Sequence, residues 1–281
     1  MAPGRARPSE IALQAKKFYH QRVEHLHPEW PVSSVLVADS DSIRVNVGRS
    51  PFPRPRVAVF DGYPVDIAFL WQDEEATPDQ TAIPILNMAH DRRPGGDWES
   101  GTMGPEECLA RRSNLVPTLT RPHHEVKYPI PQRGGIYSPN VVVFRDGPDH
   151  YQVWERYRSL PVISVSPVHR PKIDEATQKY AFDMERDLML LKMKTVLRIA
   201  AYYHHRRICL GPFGSGPVFG NPVSEIASLW KHLLFEEEEF RGVFNDVVFA
   251  IKSDQPGYAA DEEFRIFKSQ FKADSIFPVS S

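Results

Sequence analysis

The chain has 281 residues, of which 41% are hydrophobic and 25% are charged, and its formal net charge is −2. This composition is typical of globular proteins and lacks the basic excess that drives binding to a nucleic-acid backbone, so no direct nucleic-acid binding is expected. The two cysteines, Cys108 and Cys209, form no CxxC pair, which argues against a zinc module and against a disulfide scaffold. No long apolar run occurs and no apolar stretch follows the basic first residues, so we expect an intracellular protein, cytoplasmic or nuclear, without membrane contact.

Along most of the chain, segments with the apolar spacing of a strand alternate with segments that have the apolar spacing of a helix. After a helix predicted over 9–26, short β-branched runs predict strands, and longer stretches between them predict helices. The predicted strands are 33–37, 42–47, 57–60, 83–89, 141–144, 162–165, 208–213 and 246–251, and the further predicted helices are 63–74, 105–116, 174–205, 222–235 and 261–271. This alternation predicts an α/β fold with a mainly parallel or mixed sheet.

One glycine-rich segment joins a predicted strand to the helix predicted at 105–116. The strand ends near Asn87, the loop carries Gly95 and Gly96, and the helix opens with Glu106 and Glu107 in its first turn. Two early glutamates can simply complement the helix dipole, and this alternative stays open for the pair taken alone. A glycine loop that a ligand can approach closely, directly before two carboxylates, is also what cleavage of a glycosidic bond next to a phosphate needs.

A second glycine-rich segment covers residues 211–222. Gly214, Ser215 and Gly216 lie between a predicted strand and a predicted helix, where successive backbone N–H groups can surround an anion such as a diphosphate. The next glycine, Gly220, is one residue too far for the dinucleotide-binding GxGxxG pattern, and the segment has no GK[ST] of a P-loop. Packing in a tight turn is the alternative interpretation of this segment.

Taken together, the two segments resemble the microbial type of poly(ADP-ribose) glycohydrolase, a macrodomain-like family. The family signature is Gly-Gly-Gly, six to eight residues, then Gln-Glu-Glu; here Gly95-Gly96-Asp97 is followed by seven residues and Pro105-Glu106-Glu107. The resemblance spans roughly 57–251. It implies a three-layer macrodomain-like fold, with a mixed sheet flanked by helices and an N-terminal helical extension. We therefore expect an extension over 1–50, made of a helix and the first strands, packed on a catalytic domain over 51–281.

The resemblance also implies roles for individual residues. Glu107 would be the acid/base that protonates the leaving ribose oxygen and then activates water, while Glu106 and Asn87 would hold the distal ribose. Neighbouring helical residues point about 100° apart, so the two glutamates cannot face one another across a scissile bond and should differ in role. The other expected ligand-binding residues are Gly95, Gly96, Asp97, Gly214, Ser215, Gly216, Val218 and Phe219. The resemblance implies no metal and no cofactor.

Two departures from the family pattern leave alternatives open. Asp97 replaces the third glycine and adds a side chain where the backbone passes close to the ligand, and Pro105 replaces the glutamine. The retained glutamates favour a glycohydrolase that acts on poly(ADP-ribose) or on ADP-ribosylated targets. The alternatives are a macrodomain that binds ADP-ribose without cleaving it and an enzyme for another acceptor, such as a modified nucleobase. The expected partner in each case is ADP-ribose or an ADP-ribosylated molecule, and the sequence does not give an oligomeric state.

Overall fold

The structure is a computed structural model that describes residues 6–45, 54–74, 82–120, 126–253 and 260–272. Its helices are α1 (Pro8–Gln14), α2 (His20–Leu26), α3 (Pro64–Glu74), α4 (Pro105–Arg112), α5 (Leu115–Thr120), α6 (Asp183–Tyr202), α7 (Gly216–Phe219), α8 (Val223–Phe235) and α9 (Ala260–Gln270). Its strands are β1 (Val35–Val37), β2 (Arg56–Phe60), β3 (Ile85–Met88), β4 (Gly135–Arg145), β5 (Val153–Val165), β6 (Ile173–Asp174), β7 (Lys179–Tyr180), β8 (Arg207–Leu210) and β9 (Asp246–Ala250). A π-helical turn, Ala15–Tyr19, joins α1 to α2, which confirms the helix predicted over 9–26.

Seven strands form a mixed sheet in the order β1-β4-β5-β3-β8-β9-β2. β1, β4 and β5 pair antiparallel, whereas β3, β8, β9 and β2 pair parallel. Parallel strands are usually covered on both faces and are therefore continuously apolar, as in the buried run Val247–Ala250. The predicted α/β class, with a mixed sheet flanked by helices, is confirmed.

The chain divides into two compact units, and each is described by itself. The first contains residues 6–39 and 87–166, and the second contains residues 40–86 and 167–272. The predicted boundary at residue 50, between an extension and a catalytic domain, stays a prediction.

In the first unit, the N-terminal helical segment packs against the glycine loop and α4. Ala12, Ala15 and Val23 are buried in one apolar cluster with Trp98 and with Ala110, Val142 and Phe144. Removing this apolar surface from water stabilises the unit and fixes the start of the segment between Trp98 and α4. Trp98 is therefore a core residue.

Several predicted elements differ from the structure, and the strands predicted at 141–144 and 162–165 begin six and nine residues earlier, as β4 and β5. The strand predicted at 42–47 is wrong over 42–45, which contain the end of a 3₁₀ turn and irregular chain, and 46–47 lie outside the described residues. The helix predicted at 105–116 ends at Arg112, because Ser113 has an extended backbone with φ −145° and ψ 175°. The Asn114 Oδ1 then accepts the N–H of Val142 at 2.7 Å, which ties this break to β4.

The helix predicted at 174–205 begins nine residues late, at Asp183. The preceding residues form the short hairpin of β6 and β7 instead. Asp174 Oδ1 accepts the backbone N–H groups of Ala176 and Thr177 at 3.0 and 2.8 Å. An aspartate that bonds the backbone two and three residues later favours a turn over a helix, which explains the difference.

Candidate active site

In the first unit, the strand β3 carries the predicted residue Asn87. Its side chain is buried, and Nδ2 donates to Ser164 Oγ on β5 at 3.1 Å and to Glu106 Oε1 at 3.3 Å. A buried amide is stable only when its polar atoms are paired. The amide of Asn87 is thereby oriented towards the carboxyl of Glu106.

The two predicted loop glycines both have a backbone conformation that suits glycine. Gly95 has φ +77° and Gly96 has φ +60°. A Cβ atom at Gly96 would overlap the carboxylate of Glu107, and one at Gly95 would lie 2.5 Å from the side chain of Val116. The glycines are needed for backbone conformation and to let the chain pass close to the carboxylate of Glu107.

Glu107 lies at the start of α4, between two glycines of the loop. Pro105 is at the first helical position, as predicted, and Gly104 precedes it. A Cβ atom at Gly104 would overlap the second carboxylate oxygen of Glu107. The Asp97 N–H donates to Glu107 Oε1 at 3.1 Å, and Glu107 is half-buried. Both carboxylate oxygens therefore lie against loop backbone, and part of the side chain is open to solvent.

Glu106 has a different environment, because its side chain is only 3% exposed. Its carboxyl accepts the N–H of His90 at 2.6 Å, the N–H of Gly95 at 3.2 Å and the amide of Asn87. Burial, with a smaller contribution from the charge of Glu107, raises the pKa of Glu106 to about 8 despite these three donors. Glu106 is therefore protonated at neutral pH.

Asp97, which occupies the position of the third glycine in the family pattern, is paired with an arginine. Its carboxylate forms an ion pair with Arg93. The Arg93 guanidinium also lies 3.1 Å from His90 Nε2 through Nη2. Burial and the charge of Arg93 lower the pKa of His90, and the Nδ1 of its imidazole accepts the backbone N–H of Arg92 at 3.1 Å. The charge of Asp97 is thus neutralised within the loop.

A buried arginine of α4 holds the segment between the glycines. Arg111 Nε donates to the carbonyl of Trp98 at 2.8 Å, and its Nη2 donates to that of Ser100 at 2.9 Å. The side chain is fully buried. Because two carbonyls of the 98–100 segment depend on this guanidinium, Arg111 fixes the path of the loop towards Glu107.

In the second unit, the predicted anion loop connects β8 to α8. Gly214, Gly216 and Gly220 have φ values of +80°, +79° and +70°. Ser215 precedes the short helix α7, and its Oγ donates to the carbonyl of Pro212 at 2.6 Å. The Ser215 N–H donates to the carbonyl of Pro212 at 2.9 Å and Pro217 has no N–H, so Gly216 and Val218 carry the backbone N–H groups that this helix start can offer to an anion.

An asparagine that the sequence analysis did not identify holds this loop. The buried Asn221 donates from Nδ2 to the carbonyls of Val168 and Gly214 at 2.7 and 2.9 Å. Its Oδ1 accepts the hydroxyl hydrogen of Tyr180 at 2.8 Å. All polar atoms of the side chain are used within the protein, so Asn221 is a loop support.

The two predicted loop side chains differ in exposure. Phe219 is buried and packs edge-on against His169, with ring centroids 5.9 Å apart. Val218 is 37% exposed, and the N–H of Arg170 donates to the carbonyl of Phe219 at 2.6 Å. Phe219 is therefore mainly part of the loop packing, and Val218 is the more accessible of the two.

The structure thus groups Asn87, Gly95, Gly96, Asp97, Glu106 and Glu107 in the first unit, and Gly214, Ser215, Gly216, Val218 and Phe219 in the second. The sequence analysis missed His90, Arg93, Arg111 and Asn221. Charged residues next to the signature could have pointed to Arg93, but nothing in the sequence marks Arg111 as buried. Within the described ranges, no three His, Cys, Asp or Glu side chains are grouped so that they could hold a metal ion.

Residues 12–146 match the family model of the microbial-type PARG catalytic domain, where PARG denotes poly(ADP-ribose) glycohydrolase. This range includes the loop and both glutamates. A search of curated proteins found no match. Among the helices that the structure describes, none has the length and apolarity needed to cross a membrane.

Solved structures of similar fold cover nearly the whole chain. Poly(ADP-ribose) glycohydrolase from Thermomonospora curvata matches with a TM-score of 0.73 and 22% identity, covering 94% of this chain and 99% of that one. The same enzyme with the inhibitor ADP-HPD gives a TM-score of 0.72 and 23% identity, with the same coverage. The enzyme from Deinococcus radiodurans in complex with ADP-ribose gives 0.68 and 22%, covering 88% of this chain and 97% of that one. The macrodomain-like fold predicted from the sequence is confirmed.

Proposed function

We propose that the chain hydrolyses the ribose glycosidic bond of poly(ADP-ribose) or of ADP-ribosylated targets, as a member of the microbial-type poly(ADP-ribose) glycohydrolase family, whose catalytic-domain model matches residues 12–146. The observation that carries this proposal is the hydrogen bonding of both glutamates to the glycine loop. A protein that only binds ADP-ribose has no need of a half-buried carboxylate beside that loop. The presence of Glu107 there favours catalysis over binding alone.

Glu107 is proposed as the acid/base. Its Oε1 is held by the N–H of Asp97, while Oε2 has no hydrogen-bond partner among the described residues. In the first step the carboxylic acid would give its proton to the leaving oxygen as the bond to the anomeric carbon breaks. In the second step the carboxylate would take a proton from the water that adds to this carbon, which restores the acid.

Glu106 is proposed to hold the ribose hydroxyl groups together with Asn87. A buried carboxyl with a pKa of about 8 carries its proton at neutral pH and can both donate to and accept from a hydroxyl group. Asn87 already donates to it, so the amide and the carboxyl present a fixed pair of polar groups. Such a pair binds the substrate in the ground state, in contrast to the proton transfer proposed for Glu107.

The loop at 211–221 is proposed to bind the diphosphate. Its three glycines with positive φ open the backbone, and the N–H groups at the start of α7 lack intrahelical acceptors. The solved D. radiodurans enzyme was determined with ADP-ribose, which is the ligand we propose for this chain. Calorimetry with ADP-ribose tests this part, and the absence of any binding by folded protein would refute it.

The catalytic assignment is tested by product analysis on poly(ADP-ribose) and on mono-ADP-ribosylated protein in parallel. Glu107→Gln keeps size but cannot transfer the proton, so release of free ADP-ribose should fall by roughly 100-fold or more with affinity nearly unchanged. The matched control is Glu99→Gln, an exposed glutamate whose partner is Lys16. If wild-type protein binds ADP-ribose but cleaves neither substrate, it is a macrodomain that binds without cleaving. If Glu107→Gln cleaves as fast as wild-type protein, the role of Glu107 is refuted.

A further inference from the structure

One arginine connects two of the three residues whose backbone N–H groups donate to the glutamate pair. The N–H of His90 donates to Glu106 at 2.6 Å, and that of Asp97 donates to Glu107 at 3.1 Å. The guanidinium of Arg93 forms an ion pair with the Asp97 carboxylate and lies 3.1 Å from the His90 imidazole. A single side chain therefore links one backbone donor of Glu106, His90, to the backbone donor of Glu107, Asp97.

We propose that Arg93 is a positioning residue whose guanidinium contacts both His90 and Asp97 and so holds the two ends of the glycine loop, an arrangement that we call the clasp. The Asp97 carboxylate accepts the hydrogen bond of this guanidinium. The clasp keeps the two N–H donors in place for Glu106 and Glu107. This inference rests on the proposed function, because it assigns to Arg93 a role in placing the proposed catalytic pair. It also assigns a use to the side chain that replaces the third glycine of the family pattern.

The loop needs such a clasp because of its own composition. Gly95 and Gly96 lie inside the clasped segment, and glycine loses more conformational freedom on ordering than any other residue. Asp97 itself is not among the described residues with positive φ, so its side chain adds no backbone strain. A glycine at position 97 would remove the acceptor and add further freedom to the loop.

The expected effect is moderate, since Arg93 and Asp97 are 54% and 45% exposed and exposed ion pairs are weak. Small displacements of catalytic groups nevertheless lower rates. We expect Arg93→Gln and Asp97→Gly each to lower kcat about 3- to 10-fold, with a smaller change in the affinity for ADP-ribose. Arg93→Lys, which keeps the charge, should recover part of the loss.

The test is a double-mutant cycle with single-turnover cleavage as the readout. If Arg93 and Asp97 act as one unit, the double variant is no slower than the slower single variant. Arg92→Gln is the matched control, because this neighbouring arginine is 79% exposed and pairs with Asp91. Additive losses, or a rate for Asp97→Gly at or above that of wild-type protein, would overturn the clasp.

A second measurement does not depend on activity. Hydrogen exchange at the backbone amides of His90 and Asp97 should be faster in Arg93→Gln than in wild-type and Arg92→Gln proteins, because both amides lose their fixed position. Unchanged exchange at both amides would overturn the inference even in an active enzyme. Wild-type protein that neither binds nor cleaves would instead refute the proposed function, while the exchange experiment still tests the clasp.

Discussion

The buried carboxyl of Glu106 should make the stability of this protein fall as the pH rises. Its pKa is raised from an ordinary value of 4.5 to about 8, chiefly by burial. Between these two values the unfolded chain has released the proton of Glu106, whereas the folded chain still holds it. The folded state binds more protons in this window, so the free energy of unfolding decreases from pH 4.5 to about 8 and levels off above that.

The size of this effect follows from the pKa change. At about 1.4 kcal/mol for each pH unit, a rise from 4.5 to about 8 corresponds to about 5 kcal/mol of stability lost across the window. Glu106→Gln removes this titration. The amide of the glutamine would also face one of the three N–H donors that now surround the carboxyl, at a cost of about 1–3 kcal/mol that does not depend on pH.

The pH dependence is therefore the decisive quantity, and urea unfolding at pH 5, 6.5 and 8 measures it. The unfolding free energy of Glu106→Gln relative to wild-type protein should increase by about 4 kcal/mol from pH 5 to pH 8. The pKa of Glu263, raised by burial to about 6, affects both proteins equally and cancels in the difference. Glu107→Gln should keep most of the wild-type slope, since burial is the largest cause of the shift at Glu106. Parallel stability curves for wild-type and Glu106→Gln proteins would refute the reasoning.

Three further variants test the supports of the two loops. Gly96→Ala should abolish most cleavage, because Gly96 has a positive φ and a Cβ atom there would overlap the carboxylate of Glu107. Gly101→Ala is the control and should cleave normally in the same assay, because a Cβ atom at Gly101 would have no atom within 4 Å. Arg111→Met should lower the free energy of unfolding by about 1–3 kcal/mol in urea titrations, because the buried carbonyl of Trp98 and the partly exposed carbonyl of Ser100 lose their donor. Asn221→Ala should weaken ADP-ribose binding about tenfold by calorimetry, since the anion loop loses its buried hydrogen bonds at about 1–2 kcal/mol; unchanged binding would contradict a supporting role.

Local apolar patterns predicted most of the secondary structure, because such patterns depend only on residues that are neighbours in the sequence. The run Val247–Ala250 could be interpreted as a strand without knowledge of what covers it. The hairpin of β6 and β7 was missed because Asp174 bonds the backbone two and three residues later, and this competition with helix is invisible to apolar periodicity. Predictions failed where one polar side chain decides the path of the backbone.

The same distinction applies to the candidate site. The spacing from Gly96 to Glu107 is local, and the structure brings these two residues into contact. Arg111 is charged and would be expected at the surface, yet it is fully buried because loop carbonyls surround its guanidinium. Asn221 was likewise unmarked, since its partners come from residues 168, 180 and 214. Contacts between distant segments require coordinates.

The two adjacent glutamates show how one helical turn can create two chemical environments. Glu106 points into the protein, where burial keeps its proton on at neutral pH, and Glu107 lies half-buried against the glycines. Successive helical side chains diverge by about 100°, so a single step along α4 separates a proton-holding group from one open to substrate. Two carboxyls with environments this different suit two roles, ribose binding and proton transfer, better than one shared role. The Glu106→Gln and Glu107→Gln variants should accordingly differ in kind: the first should change substrate affinity and rate together, and the second should change rate alone.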